Sequence, residues 1–284
     1  MIGTYQYRPV RFFLAAYLAT WIPWLAAAYA VSRQGLEPYG ALLTFAGLAG
    51  PCAAALVLTL TSGNAALKSD LKDRLINLSR IRPGFLAIAI VLPFAIMVMS
   101  IWLSLSLGQS SDQRQLSGAP NSMAMVILAL VLAPLLEEMG WRGYGVDSLR
   151  ARFGMMMATL LFGVLWCLWH APLMLISGTY QNQVAMTGNP IFIANFFISI
   201  IPAGIITNWL YYKNNRSIPA AVVLHSMLNA AAVLLNAGQV AKCIATVLYA
   251  AAAVAVIAVD RGLFAEGPRS FLCHDGRSEP ETDG

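Results

Sequence analysis

Apolar residues in this chain fall into long blocks. Eight can be drawn, at approximately 12–31, 40–61, 84–107, 122–139, 155–176, 190–210, 218–236 and 241–259. A helix needs about 20 predominantly apolar residues to cross the hydrocarbon core of a bilayer. The pattern therefore predicts an all-α fold, a polytopic membrane helix bundle of about eight transmembrane helices. The fourth block runs into charge at Glu137, and its helix is expected to continue past the membrane to about Arg150. Segment 63–83 mixes Lys, Arg, Asp and Leu and reads as an interfacial amphipathic stretch. Segment 109–121 is polar and rich in Ser and Gln, hence a loop. The tail from Asp260 carries Gly, Pro and acidic residues, a composition that predicts disorder.

Composition agrees with a membrane class. Hydrophobic residues make up 58% of the 284 and charged residues 11%, where an ordinary soluble domain has roughly 25% charged. Mean hydropathy is +0.66. A net charge of +5 would raise nucleic acid as a partner for a soluble protein, but no basic run is dense enough for that. Retention of Lys and Arg on the cytoplasmic side explains it better. With the N-terminus inside and eight alternating spans, only Arg33, Arg114 and Lys242 of the 18 basic residues fall outside. This asymmetry predicts a multi-pass protein of the cell membrane with cytoplasmic N- and C-termini.

Three smaller features were weighed with it. Ala28-Tyr29-Ala30 resembles a signal-peptidase site, yet the length of the first block, with Trp21, Pro23 and Trp24 inside it, argues for a retained span. Cys52, Cys167, Cys243 and Cys273 show no zinc-ribbon or redox spacing, and the first three read as small buried residues. Ala46 and Gly50 form a small-xxx-small pair suited to close helix approach.

Ionisable groups inside spans cost about 2.5–3.5 kcal/mol each on insertion scales, so they mark function or pairing. Three clusters stand out. In Glu137-Glu138-Met139-Gly140-Trp141-Arg142, Glu138 and Arg142 share a helix face and can pair. Glu137 is turned about 100° away, which leaves one carboxylate held by Arg142 and the other free to face a cavity. In Trp166-Cys167-Leu168-Trp169-His170, Trp166 lies one turn before His170 and can wall off the imidazole. In His225-Ser226-Met227-Leu228-Asn229, His225 and Asn229 share a face in mid-span. Each cluster alone has a structural explanation: an acidic helix end, interfacial aromatics, or interhelical hydrogen bonding. Together they hold what amide hydrolysis needs: Glu and His to activate water, and His and Asn to donate to an oxyanion.

The ordered set Glu-Glu-x-x-x-Arg, aromatic-x-x-x-His and His-x-x-x-Asn resembles the CPBP family of intramembrane proteases. That family includes the type II CAAX prenyl endopeptidases and the Abi-like proteins. The resemblance spans about 134–230 and departs mildly at Trp166, where many members have Phe. It implies an intramembrane endopeptidase acting on a membrane-associated protein or peptide, a prenylated one among the options. Carried over, Glu137 and His170 orient and deprotonate water, and His225 and Asn229 stabilise the oxyanion. Glu138 and Arg142 fix the geometry, with Arg142 also able to touch substrate. The implied organisation is 1–121 for N-terminal helices and interfacial segment, 122–236 for the catalytic helical core around an intramembrane cavity, 237–259 for the last span and 260–284 for the tail.

Metal dependence stays open. Glu137, His170 and His225 could supply three ligands to zinc, but the sequence lacks a His-Glu-x-x-His helix, and no cofactor is certain. A non-catalytic immunity or scaffold protein and a proton-coupled transporter are the alternative functions. The assigned topology places the site near the cytoplasmic side. Span parity adds a tension, because it sets His170 nearer the outer face than Glu137 and His225.

Overall fold

The computed structural model describes residues 6–117, 127–269 and 271. Its helices are α1 (Pro9–Val31), α2 (Glu37–Leu48), α3 (Gly50–Leu60), α4 (Ala65–Ile76), α5 (Pro83–Ser106), α6 (Ala133–Gly140), α7 (Val146–Arg150), α8 (Met155–Trp169), α9 (Tyr180–Met186), α10 (Pro190–Lys213), α11 (Ile218–Leu234), α12 (Gln239–Val259) and α13 (Arg261–Ala265). No strand occurs among the described residues, where extended pairing is limited to the single bridge Leu116–Leu235. The all-α class is therefore as the sequence predicts.

Proline sets many of the helix starts. Pro9, Pro38, Pro51, Pro83, Pro190 and Pro219 each stand at the first or second helical position. There the missing N–H costs nothing, because the first turn has no internal acceptor for it. Asn64, Thr179, Asn189 and Ser217 supply side-chain caps to α4, α9, α10 and α11.

Five helical segments are long and apolar enough to span a bilayer: α1, α5, α8 with its 3-10 extension to Leu175, α10 and α12. The pair α2–α3, bent by 43°, makes a sixth. The expected eight are not all found. α11 has only 17 residues, and residues 122–126 of the fourth block lie outside the described ones. The surface fits lipid: Leu14, Leu18, Ile22 and Leu25 line an exposed ridge of α1.

α6 sits at the centre, touching α3 on one side and α11 on the other. The approach to α3 depends on Gly140, since any Cβ there would collide with the main chain of Pro51. α1 closes on α2–α3 through Gly47 and Gly50, where a Cβ would strike Trp24 and Thr20. The expected partner of Gly50, Ala46, is exposed instead. The close contact repeats at i and i+3 because the helix is interrupted at Ala49.

Segment 63–83 is the helix α4 followed by a 3-10 turn, as its pattern suggested, but Leu67, Leu71 and Arg74 are buried against the bundle. The tail departs from the expected disorder up to Arg269. α13 is followed by an irregular stretch in which Glu266 pairs with Arg150 at 2.8 Å, and the Glu266 carbonyl accepts from the Met155 amide. Acidic and glycine residues here satisfy a buried arginine rather than water. Ser270, residues 272–284 and residues 118–126 lie outside the described residues.

Candidate active site

Two π-helical turns, Leu128–Leu132 and Trp141–Gly145, flank α6. Such turns re-aim side chains and leave carbonyls short of helical partners. Here Arg74 of α4 fills the gap, donating to the carbonyls of Arg142 at 2.7 Å and Gly143 at 3.0 Å. The segment that carries the two glutamates is thus pinned from outside its own helix.

Glu138 and Arg142 are fully buried. One guanidinium nitrogen of Arg142 donates to both Glu138 oxygens, at 2.8 and 2.7 Å, and the other donates to Asn208 Oδ1 at 3.0 Å. Its plane lies over Phe162 at 4.7 Å. Glu138 Oε1 also meets His225 Nδ1 at 2.9 Å. The carboxylate can only accept there, so the proton lies on Nδ1 and His225 presents Nε2 elsewhere.

Glu137 is separate. Its Oε2 accepts from the indole N–H groups of Trp166 at 3.1 Å and Trp141 at 3.4 Å. His170 caps α8, and its Nδ1 stands 2.7 Å from the Trp166 carbonyl. A carbonyl cannot donate, so Nδ1 carries a proton and Nε2 is the accepting nitrogen of the neutral ring. Trp166 therefore does more than wall the site: its main chain fixes His170, its indole fixes Glu137, and its ring stands edge-on to His225 with centroids 5.4 Å apart.

Glu137, Trp166, His170, His225 and Asn229 line one cavity of about 840 Å³. Glu138 and Arg142 stand behind it and do not reach it, so the pair divides as the helix geometry predicts. Arg142, allowed a substrate contact by the resemblance, is instead sealed among protein groups. The exposed wall runs from Phe45 and Ala41 along α2 to Glu37, then to Ser177, Gly178 and Tyr180. This end of the bundle is remote from the basic loops.

Helix lengths resolve the parity tension as well. From Glu137 the chain runs on for about 20 Å to Arg150 before turning, and from Met155 it climbs back roughly 17 Å to Trp166, at 1.5 Å per residue. The return helix thus comes level with Glu137 just where His170 follows.

A second cluster lies at the basic end and was not recognised in the sequence. Arg216 pairs with Asp70 at 2.8 Å and with Asp147 at 2.6 Å. Arg74 pairs with Asp70 at 2.8 Å and Asp147 at 3.2 Å. Tyr211 and Tyr212 donate to Asp147, each at 3.0 Å. Burial pushes the Asp147 carboxyl up, but Arg216 and Arg74 more than reverse this and hold it below the ordinary range. Asn208 and Trp141 also escaped notice. A lone Asn among Ile, Thr and Trp was the available signal for the first.

Among the described residues, no three His, Cys, Asp or Glu side chains converge as a metal site needs. The candidate donors Glu137, His170 and His225 form no such group.

A multi-pass helix bundle holding acid and imidazole groups around an internal cavity has the architecture a membrane-embedded hydrolase requires. Residues 119–231 match the family described as type II CAAX prenyl endopeptidase Rce1-like. A relative, the CAAX prenyl protease 2 of Methanococcus maripaludis, is 36% identical over 273 residues, which cover 94% of this chain and 99% of the relative. The chain belongs to the type II CAAX prenyl endopeptidase family, and it is a protease of the membrane.

Proposed function

We propose that this protein cleaves a peptide bond near the end of a prenylated, membrane-associated protein or peptide, using water activated by Glu137 and His170. The observation that carries the reading is the sharing of one cavity by Glu137, His170, His225 and Asn229. Trp166 and Trp141 occupy Glu137 Oε2, which leaves Oε1 to accept from water. Nε2 of His170 is the second acceptor. A water between them is oriented by both and gives up a proton as its oxygen attacks the carbonyl carbon.

The tetrahedral oxyanion then needs donors. His225 donates from Nε2 only when both ring nitrogens are protonated, and Glu138 holds the Nδ1 proton at 2.9 Å. Asn229, one turn on, supplies its amide N–H. Collapse breaks the C–N bond, and the proton taken from water passes to the leaving amine. Glu138 and Arg142 act through His225 as positioning residues. We propose that the reaction proceeds without a metal.

The cavity flank along α2 is exposed at Ala41 and Phe45, on a face suited to lateral entry by a lipid-anchored chain. The proposed orientation, taken from the charge asymmetry of the loops, has the N- and C-termini in the cytoplasm.

The test is mass spectrometry of an S-farnesyl-cysteine peptide incubated with purified protein. Wild type is expected to release a C-terminal fragment, with or without a strong chelator, and Glu137→Gln to release none. Equal cleavage by the variant would refute the assignment, and loss of wild-type cleavage on chelation would refute the metal-free mechanism.

A further inference from the structure

Lys242 has no part in the chemistry described so far. It stands in the first turn of α12 and lines the same cavity as Glu137, His170 and His225. Both circumstances are unfavourable for it. A cation in the first turn opposes the helix dipole, and an ammonium group in an apolar wall loses hydration that only an anion replaces fully.

Among the described residues Lys242 makes no ion pair. Its compensation is the face of Tyr180, whose ring centroid is 4.2 Å from Nζ. Tyr180 in turn donates to Gln239 at 3.4 Å, so the ring that supports the ammonium is braced against the same helix. The carboxylates of the cavity wall are Glu37 and Glu137, and the first accepts from the amide of Gly35 at 2.8 Å. Lys242 is thus the one Lys or Arg among the described residues that line the cavity.

Its height along the bundle is informative. α11 climbs from His225 to Leu234, and α12 starts back down at Gln239. At 1.5 Å per residue this sets Lys242 roughly 9 Å nearer the rim than His225. About three residues of extended chain cover that distance.

We propose that Lys242 binds the free C-terminal carboxylate of the substrate, and so restricts cleavage to a bond a few residues from a chain end. The proposal rests on the proteolytic reading above. Lys242 then acts on specificity, with no share in bond breaking.

The probe is a fluorescent S-farnesyl-cysteine peptide with three apolar residues after the cysteine, made as the free acid and as the C-terminal amide. Binding is measured on the full chain carrying Glu137→Gln, and cleavage on the wild-type background. The acid should bind about ten-fold or more tightly than the amide, the scale of a charge-assisted hydrogen bond. Lys242→Met should abolish that difference, and Lys242→Arg should keep most of it. In cleavage, Lys242→Met should raise KM for the acid to that of the amide and leave kcat unchanged.

Equal binding of acid and amide overturns the proposal. So does a preference that survives Lys242→Met, or an equal loss for both peptides, which marks a structural role. Undiminished cleavage by Glu137→Gln is a different failure: it overturns the proteolytic assignment, and the binding comparison still decides Lys242.

Discussion

Replacing Arg142 with Met removes a cation that is fully buried between Glu138 and Asn208. Breaking a buried ion pair from one side costs about 3–5 kcal/mol, because the remaining charge has no solvent to turn to. Glu138→Leu should cost a similar amount by stranding Arg142. The double variant Glu138→Leu/Arg142→Met strands no charge. It leaves only His225 Nδ1–H and Asn208 Oδ1 without these partners, at about 1–2 kcal/mol each. It should therefore lie about 2–4 kcal/mol below wild type, well short of the 6–10 kcal/mol that addition of the two singles gives. The assay is reversible unfolding by SDS in mixed micelles. Catalysis should behave differently: the double variant recovers stability without activity, since His225 has lost the carboxylate that orients it. Additive destabilisation, or an active double variant, would refute the reasoning.

Further predictions follow from the same geometry. Trp166→Phe keeps the aromatic wall but removes the 3.1 Å hydrogen bond to Glu137; kcat should fall about ten-fold with KM unchanged, the scale of one hydrogen bond to a charged group, and an unchanged kcat would free Glu137 from this support. Asp147 is held below its ordinary value of 3.8, so its contribution to stability is complete above that value and is lost as the pH falls through the lower, folded one. Unfolding measured from pH 7 downward should weaken below about pH 4 in wild type, and Asp147→Asn should be less stable at pH 7 with a shallower acid decline; identical pH profiles would contradict the buried cluster. Cysteines placed at Gly178 and at Arg152 should react with a membrane-impermeant maleimide from opposite sides of sealed vesicles, and labelling of both from one side would contradict the separation of cavity rim and basic loops.

Much of this architecture is legible in the sequence because a bilayer allows few solutions. Long apolar blocks can only be helices, and charges within them must be paired or used. The division between Glu137 and Glu138 follows from 100° per residue and from Arg142 four positions on. The count of spans did not follow. A π-helical turn, a 43° bend and a 17-residue α11 look like ordinary apolar sequence, because backbone irregularity leaves little trace in composition. The tension over the level of His170 arose for a related reason: parity counts spans, but the level of a side chain depends on how far α6 and α7 run before the chain turns. Asp70 and Arg74 were read as part of an interfacial amphipathic stretch, and Asp147 and Arg216 were not linked to them. The i,i+4 spacing of Asp70 and Arg74 announces that pair, but only the fold brings it to 147 and 216. The stretch after Asp260 misled in the same way, since Glu266 was counted as a disorder-promoting acid and is the partner of Arg150.

The central claim is that Glu137 and His170 act on one water in one cavity. Single-turnover cleavage of the farnesylated peptide by Glu137→Gln, His170→Ala and the double variant tests it most directly. Groups that serve a single step as a unit are strongly non-additive. The account predicts that each single variant loses at least about a hundred-fold in rate, and that the double variant is no slower than the slower single. A near wild-type rate in either single, or losses that multiply in the double, would contradict it.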